Sequence, residues 1–130
     1  MGRQLLRIKL DTSFFLYGIS CHLKDYRFAW TINKLLCTNF KKNKPHVKNK
    51  TQEFSKYDHE IELDVVSFFA NKSQDGFLIQ KQQQIDYWLM FQATTDKKTR
   101  EFFIETIRQN QHVLAIFEEK NIKTKEYFVF

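Results

Sequence analysis

Hydrophobic positions are densest between Ile61 and Ala93, where two apolar segments flank a turn signal and a polar, glutamine-rich bridge. The first segment, Ile61 to Ala70, is apolar on both alternating faces: Leu63, Val65 and Phe69 on one, Val66, Phe68 and Ala70 on the other. A strand apolar on both sides is normally covered on both, so the pattern predicts a central strand. Asn71-Lys72-Ser73-Gln74-Asp75-Gly76 follows with turn chemistry, since Gly76 tolerates positive φ and Asp75 can bond nearby backbone amides. From Ile85 to Ala93, Ile85, Tyr87, Leu89 and Phe91 alternate with Asp86, Trp88, Met90 and Gln92. That predicts a strand with one apolar and one mixed face.

The rest of the chain carries weaker but readable periods. Leu6, Ile8 and Leu10 alternate with Arg7 and Lys9, predicting an opening strand over Gln4–Leu10 that Asp11-Thr12-Ser13 ends. Phe14–Ile19 fits either a short strand or the first turns of a helix, with a break expected just after Gly18. From about His22 to Leu36, Phe28, Ala29, Ile32, Leu35 and Leu36 share a helical face, with Ser20 or Asp25 as the expected cap. Residues 38–50 then read as a lysine-rich loop around Pro45, long enough to be either disordered or functional. Thr51–Tyr57 is expected as an edge strand beside the Ile61 strand, with its bend at Asp58-His59. A second helix is expected over Thr95–Gln109, capped by Thr94 or Thr95, with Phe102, Phe103, Ile104 and Ile107 as its packing stripe. Gln111–Glu118 and Glu126–Phe130 read as closing strands. The order predicts a single α+β domain over residues 1–130: a mainly antiparallel sheet with two helices packed on one face.

Ile79-Gln80-Lys81-Gln82-Gln83-Gln84-Ile85-Asp86-Tyr87 resembles a degenerate copy of the signature that names the bacterial IPExxxVDY family. Gly18-Ile19-Ser20 followed by Lys24-Asp25-Tyr26-Arg27, and Asn71-Lys72-Ser73 before Asp75-Gly76, are similar to that family too. Gln80 stands where the family has proline and Lys81 where it has glutamate, while Ile85 replaces valine conservatively. The resemblance implies a small cytoplasmic protein with no assigned activity or cofactor. Its implied genomic setting lies near genes for acyl-carrier-protein metabolism and ribonuclease III.

Composition narrows the picture. A hydrophobic content of 42% with 28% charged residues belongs to a globular chain, and 130 residues suit one ordinary core. Five of the six net positive charges fall in residues 41–50, leaving +1 elsewhere, so the basicity belongs to one segment. Such a run is usually solvated and sometimes a contact for nucleic acid, here through Lys41, Lys42, Lys44, Lys48 and Lys50. The aromatics do not interleave with these lysines, which weighs against a base-stacking surface. A mostly helical path between Cys21 and Cys37 would separate them by roughly 24 Å, beyond disulfide reach. Two unpaired thiols fit a reducing cytoplasm. Arg3, Arg7 and Lys9 argue against a signal peptide, the absence of Ser or Thr at position 6 weakens a myristoylation reading, and no apolar run predicts a membrane span.

Candidate chemistry concentrates in two places. Cys21-His22 is the one adjacent Cys/His pair, but neighbours on a helix point about 100° apart and cannot readily pair. Lys24-Asp25-Tyr26-Arg27 offers an anion contact at a helix start or, more simply, a local ion pair. Asp86 interrupts an apolar strand and must be paired if buried. The expectation is that it bonds the Gln80–Gln84 bridge, and Lys81 removes the second carboxylate that a two-acid mechanism needs. Tyr87 and Trp88 are expected to pack. No glycine-rich phosphate loop, nucleophile elbow or zinc spacing is present, so no catalytic set, metal or cofactor is assigned. The expected function is a non-enzymatic binding or adaptor module that meets a protein partner, with Ser20, His22, Lys24, Asp25, Arg27, Asp86 and Tyr87 as candidate binding residues. The alternatives are RNA binding by the lysines and a small-molecule or acyl-chain site near Ser20–Arg27.

Overall fold

The computed structural model describes residues 11–129, so the expected strand Gln4–Leu10 and the terminal Phe130 lie outside the described residues. The period-2 segments become strands β1 (Phe15–Cys21), β2 (Lys41–Lys48), β3 (Gln52–Ile61), β4 (Asp64–Ala70), β5 (Lys72–Ser73), β6 (Gly76–Phe77), β7 (Tyr87–Phe91) and β8 (Val113–Glu119). The helical periods become α1 (Asp25–Leu36) and α2 (Lys97–Arg108), followed near the end by a short α3 (Ile122–Lys125) and a 3-10 turn, Glu126–Phe128. Six strands form one sheet in the order β2-β3-β4-β7-β1-β8, every neighbouring pair antiparallel, while β5 and β6 make a small separate hairpin. The protein is therefore α+β with a mainly antiparallel sheet.

β4 lies inside the sheet and is covered on both faces, as its two-sided apolar pattern demands. Toward the helices, Val66 and Phe68 pack under Phe28, Ile32 and Leu36 of α1, with Phe103, Ile104 and Ile107 of α2 in the same core. Phe68 stacks on Tyr57 at 4.7 Å and meets Phe28 edge-on at 5.1 Å. Each aromatic buried in this way contributes about 1.5–3 kcal/mol. On the opposite face, Phe54, Phe69 and Trp88 lie with Leu78, Ile79, Ile85 and Phe128 in a second core.

Several segments depart from the sequence reading, each for a visible reason. Of Phe14–Ile19, Phe15 onward is strand, and Gly18 sits inside β1 instead of ending it. A Cβ at Gly18 would come 2.9 Å from Phe117 Cζ and 3.0 Å from Trp88 Cζ3, so glycine serves close packing there. Helix α1 begins at Asp25, with Lys24 as an N-cap that makes no side-chain bond; neither Ser20 nor Asp25 caps it. Its outer side includes Leu35, which the periodic reading had placed on the packing face. For α2 the cap is Asp96, whose Oδ1 accepts the Thr99 N–H at 2.8 Å, while Thr95 is buried just outside the helix.

The largest correction concerns residues 38–50, most of which are strand instead of loop. Lys41–Lys48 is the edge strand β2, paired with β3 through a register shift between Asn43 and His46 that accommodates Pro45. Consequently β3 is not an edge, and Asp58 and His59 lie within its ladder. The β3–β4 turn falls at Glu62-Leu63 instead, with Glu62 at φ 52° and Leu63 99% exposed. Glu126–Phe130 is likewise not a strand in its described part: the 3-10 turn inserts Phe128 against Phe69 and Trp88, at 5.1 and 5.8 Å. Aromatic burial there outweighs the β-propensity of the segment.

His46 is the one buried residue of β2, packed on Phe69, with Nε2–H donating to the Tyr127 carbonyl at 2.8 Å. Burial holds its pKa below the usual 6.5. The folded state therefore keeps His46 neutral while the unfolded chain takes up a proton. Its stability contribution is complete above about pH 6.5 and is lost as pH falls from there toward the folded pKa. Burial lowers His59 too, with the same sign. Denaturation at a series of pH values should show stability declining on acidification through about pH 6, and His46→Gln, which keeps a donor for Tyr127, should make the decline shallower.

Candidate functional site

The site is built on one buried side chain, Asn71, at the end of β4. It is fully enclosed, and every polar atom of its amide is used. Nδ2 donates to the carbonyls of Gln82 and Ile85 at 2.9 and 2.8 Å, and Oδ1 accepts from Ile79 N–H and Trp88 Nε1–H, both at 2.9 Å. Carbonyls only accept and N–H groups only donate, so these four partners fix the orientation of the amide. The Asn71 main chain adds two bonds, to the Asp86 carbonyl and from the Leu78 N–H. Between these anchors the bridge runs through two successive turns, closed by Gln82 N–H to Ile79 O and Ile85 N–H to Gln82 O, both at 3.1 Å.

The bridge delivers Asp86 to the sheet, but Asp86 does not hold the bridge, contrary to expectation. Its carboxylate accepts the Cys21 N–H at 2.7 Å and pairs with Lys72 Nζ at 3.0 Å. The Asp86 N–H meanwhile donates to Ile19 O at 2.8 Å. The β1–α1 connection is thereby clamped to the start of β7. Between them opens a polar cleft of about 460 Å³, and His22, Lys24, Asp25, Lys72, Asp86 and Tyr87 lie along it.

Five of the seven candidate binding residues meet in this cleft: His22, Lys24, Asp25, Asp86 and Tyr87. Ser20 and Arg27 do not line it. The Ser20 hydroxyl donates to the Gln84 carbonyl at 2.9 Å, and Arg27 projects from the outer side of α1 beside Tyr26 and Trp30. The groups nearest to catalytic chemistry are already engaged. Cys21 is 1% exposed, and burial, with the Asp86 charge beside it, pushes its thiol pKa up, away from the reactive thiolate. The Tyr87 hydroxyl donates to the Leu23 carbonyl, its ring stacks on Phe28 at 4.4 Å, and burial drives its pKa far above the ordinary phenol value. Asp86 is occupied by Cys21 N–H and Lys72. What the cleft offers a visitor is the exposed charge of Lys24, the His22 ring and the half-buried Asp25 carboxylate, a capacity for polar binding.

The lysines of β2 are divided between faces. Register places Lys42 beside Tyr57 on the helix side, and Lys41 and Lys48 beside Asp58 and Gln52 on the other. Lys48 Nζ is spent on the Phe77 carbonyl at 3.0 Å, and burial lowers its pKa. Lys44 and Lys50 border a groove of about 750 Å³ with Lys56. Among the described residues no group of His, Cys, Asp or Glu is arranged to hold a metal ion. No helix there is long and apolar enough to cross a membrane.

A surface that sequence reasoning missed lies on α1. Tyr26 and Trp30 are 60% and 61% exposed, one turn apart, and with Arg27 they enclose a shallow apolar pocket of about 390 Å³. Lys34 Nζ sits 4.7 Å from the Trp30 ring centroid. Their i, i+4 spacing on the side opposite Phe28 and Ile32 was the available signal. No protein-family model matches this sequence, and no curated protein matches it.

Asn71→Ala strands the Ile79 and Trp88 donors in the second core, so chemical denaturation should show a loss of at least about 3 kcal/mol. Gln80 occupies the second position of the Ile79–Gln82 turn, where a proline's fixed φ is favoured. Gln80→Pro should stabilise by about 0.4–1 kcal/mol in the same assay; a decrease would mean that the local φ does not suit proline.

Proposed function

We propose that the protein is a non-enzymatic binding module that engages a protein partner through the N-terminal half of α1. The observation that carries this reading is the exposure of Tyr26 and Trp30, with Arg27 between them, on a helix whose other side is packed into the core. Trp, Tyr and Arg are the residue types that dominate protein–protein contacts, because they combine large apolar area with a polar handle. Lys24 and Asp25 continue the same helix into the polar cleft, so the surface pairs an aromatic ridge with a charged recess. The engaged state of Cys21, Asp86 and Tyr87 supports binding over catalysis. The division of the β2 lysines between two faces gives them an edge-strand role and weakens the nucleic-acid alternative. This reading includes a cytoplasmic location, supported by two free cysteines, and kinship with the IPExxxVDY family, carried by Ile79, Ile85, Asp86 and Tyr87.

Tagged protein cross-linked in native lysate should retain a stoichiometric partner, and Tyr26→Ala combined with Trp30→Ala should reduce its recovery by about tenfold or more. Both rings are exposed, so the unliganded melting temperature should hardly change. Equal recovery by the double variant, or repeated isolation of the chain without a protein partner, would refute the proposal.

A further inference from the structure

Helix α1 sorts its charges by face. Phe28, Ala29, Ile32 and Leu36 pack into the core, and the helix's one acid, Asp25, lies on that same side, half-buried along the polar cleft. The opposite side carries Tyr26, Arg27, Trp30 and Lys34, all exposed and none acidic. Three of these four side chains can only donate hydrogen bonds: the Arg27 guanidinium, the Lys34 ammonium and the Trp30 indole N–H. Lys34 lies over the Trp30 ring, and neither Arg27 nor Lys34 enters an ion pair among the described residues. This face is therefore an apolar pocket set between two cations, with the Tyr26 hydroxyl as the one acceptor among the four side chains.

We propose that the partner presents an acidic amphipathic helix to this face, with carboxylates at the spacing of Arg27 and Lys34 on either side of an apolar side chain. The inference rests on the reading of α1 as a protein-binding surface and names the chemistry of what binds there. Arg27 and Lys34 stand seven positions apart, which separates them by about 10 Å along the helix axis. A helix lying alongside repeats that interval with two acids seven residues apart. Its apolar residue three or four positions after the first acid then enters the pocket of Tyr26, Arg27 and Trp30. A carboxylate suits Arg27 in particular, because the planar guanidinium matches it with two parallel N–H···O bonds. A membrane surface suits the face less well. An interfacial helix buries a continuous apolar stripe, whereas the polar Thr31 and Asn33 flank these two rings.

Two probes test this: a helical peptide with glutamates seven residues apart and leucines between them, and the partner captured from lysate. Titration with the peptide should move the emission of the exposed Trp30 to the blue, and Trp30→Phe should abolish the shift, since Trp88 is already buried. Lysines in place of the peptide's glutamates should weaken binding at least about tenfold. Arg27→Glu combined with Lys34→Glu should weaken binding of peptide and captured partner by a similar factor, with melting nearly unchanged because both side chains are exposed. A carbodiimide, which joins an ammonium to a carboxylate, should link Lys34 to an Asp or Glu of the captured partner. Lys34→Arg should lose that link and keep the partner. If charge reversal leaves the partner bound while Tyr26→Ala with Trp30→Ala releases it, α1 remains the contact surface and the acidic occupant is overturned. If neither pair of substitutions releases it, both readings fall. No emission shift, equal binding of the lysine peptide, or release of the captured material by ribonuclease would each overturn the proposal.

Discussion

The structure depends on one fully satisfied amide. Asn71 has two side-chain donors and two lone-pair directions, and all four are filled by groups from three different places. A buried amide with any of these unmet would cost about 1–3 kcal/mol, so the site permits one arrangement and penalises its neighbours. Because Ile79, Gln82, Ile85 and Trp88 are the partners, Asn71 ties the end of β4 to both ends of the bridge and to a core side chain of β7. The second core forms beneath that bridge. Leu78, Ile79 and Ile85 cover Trp88 and Phe69 only because the bridge is held in its two-turn path.

The clamp at Asp86 follows from the same placement. With the Ile85 carbonyl held by Asn71, the next residue turns its carboxylate toward the Cys21 amide and Lys72. A carboxylate shared between a backbone donor and an ammonium is well compensated, and it joins strand β1 to the start of β7 at the place where α1 begins. That compensation also limits its chemistry. The contacts that shape the cleft consume the Asp86 oxygens and the Tyr87 hydroxyl, and they keep the Cys21 thiol in its protonated, unreactive form. Polar groups in a cleft are therefore not sufficient grounds for an active site; what matters is how many remain free after folding.

This distinction explains what the sequence could and could not reveal. The two-faced apolar pattern of Val66, Phe68 and Phe69 identifies a buried strand because burial on each face selects the residue type there. β2 hides for the opposite reason: only His46 is buried, so lysine and proline dominate what is visible, and these read as loop. Asn71 looks like an ordinary turn residue, since its partners lie 8 to 17 positions away and leave no periodic trace. Asp86 was recognised as needing a partner, but Cys21 is 65 residues distant, and the nearer glutamines were the natural guess. The cleft was half legible, through the runs His22–Asp25 and Asp86-Tyr87. What joins those runs is sheet order, with β1 next to β7, and sheet order is not written locally.

The charge of the chain acquires a meaning from that same sheet order. A pI near 9.3 invites a polyanionic partner, yet most of the excess comes from residues 41–50, which the topology assigns to an outermost strand and its turn. Lysine suits this position: its long stem covers the exposed edge, its charge repels an incoming strand of the same kind, and it costs nothing in the core. The basic run is thus accounted for by the need to terminate a sheet.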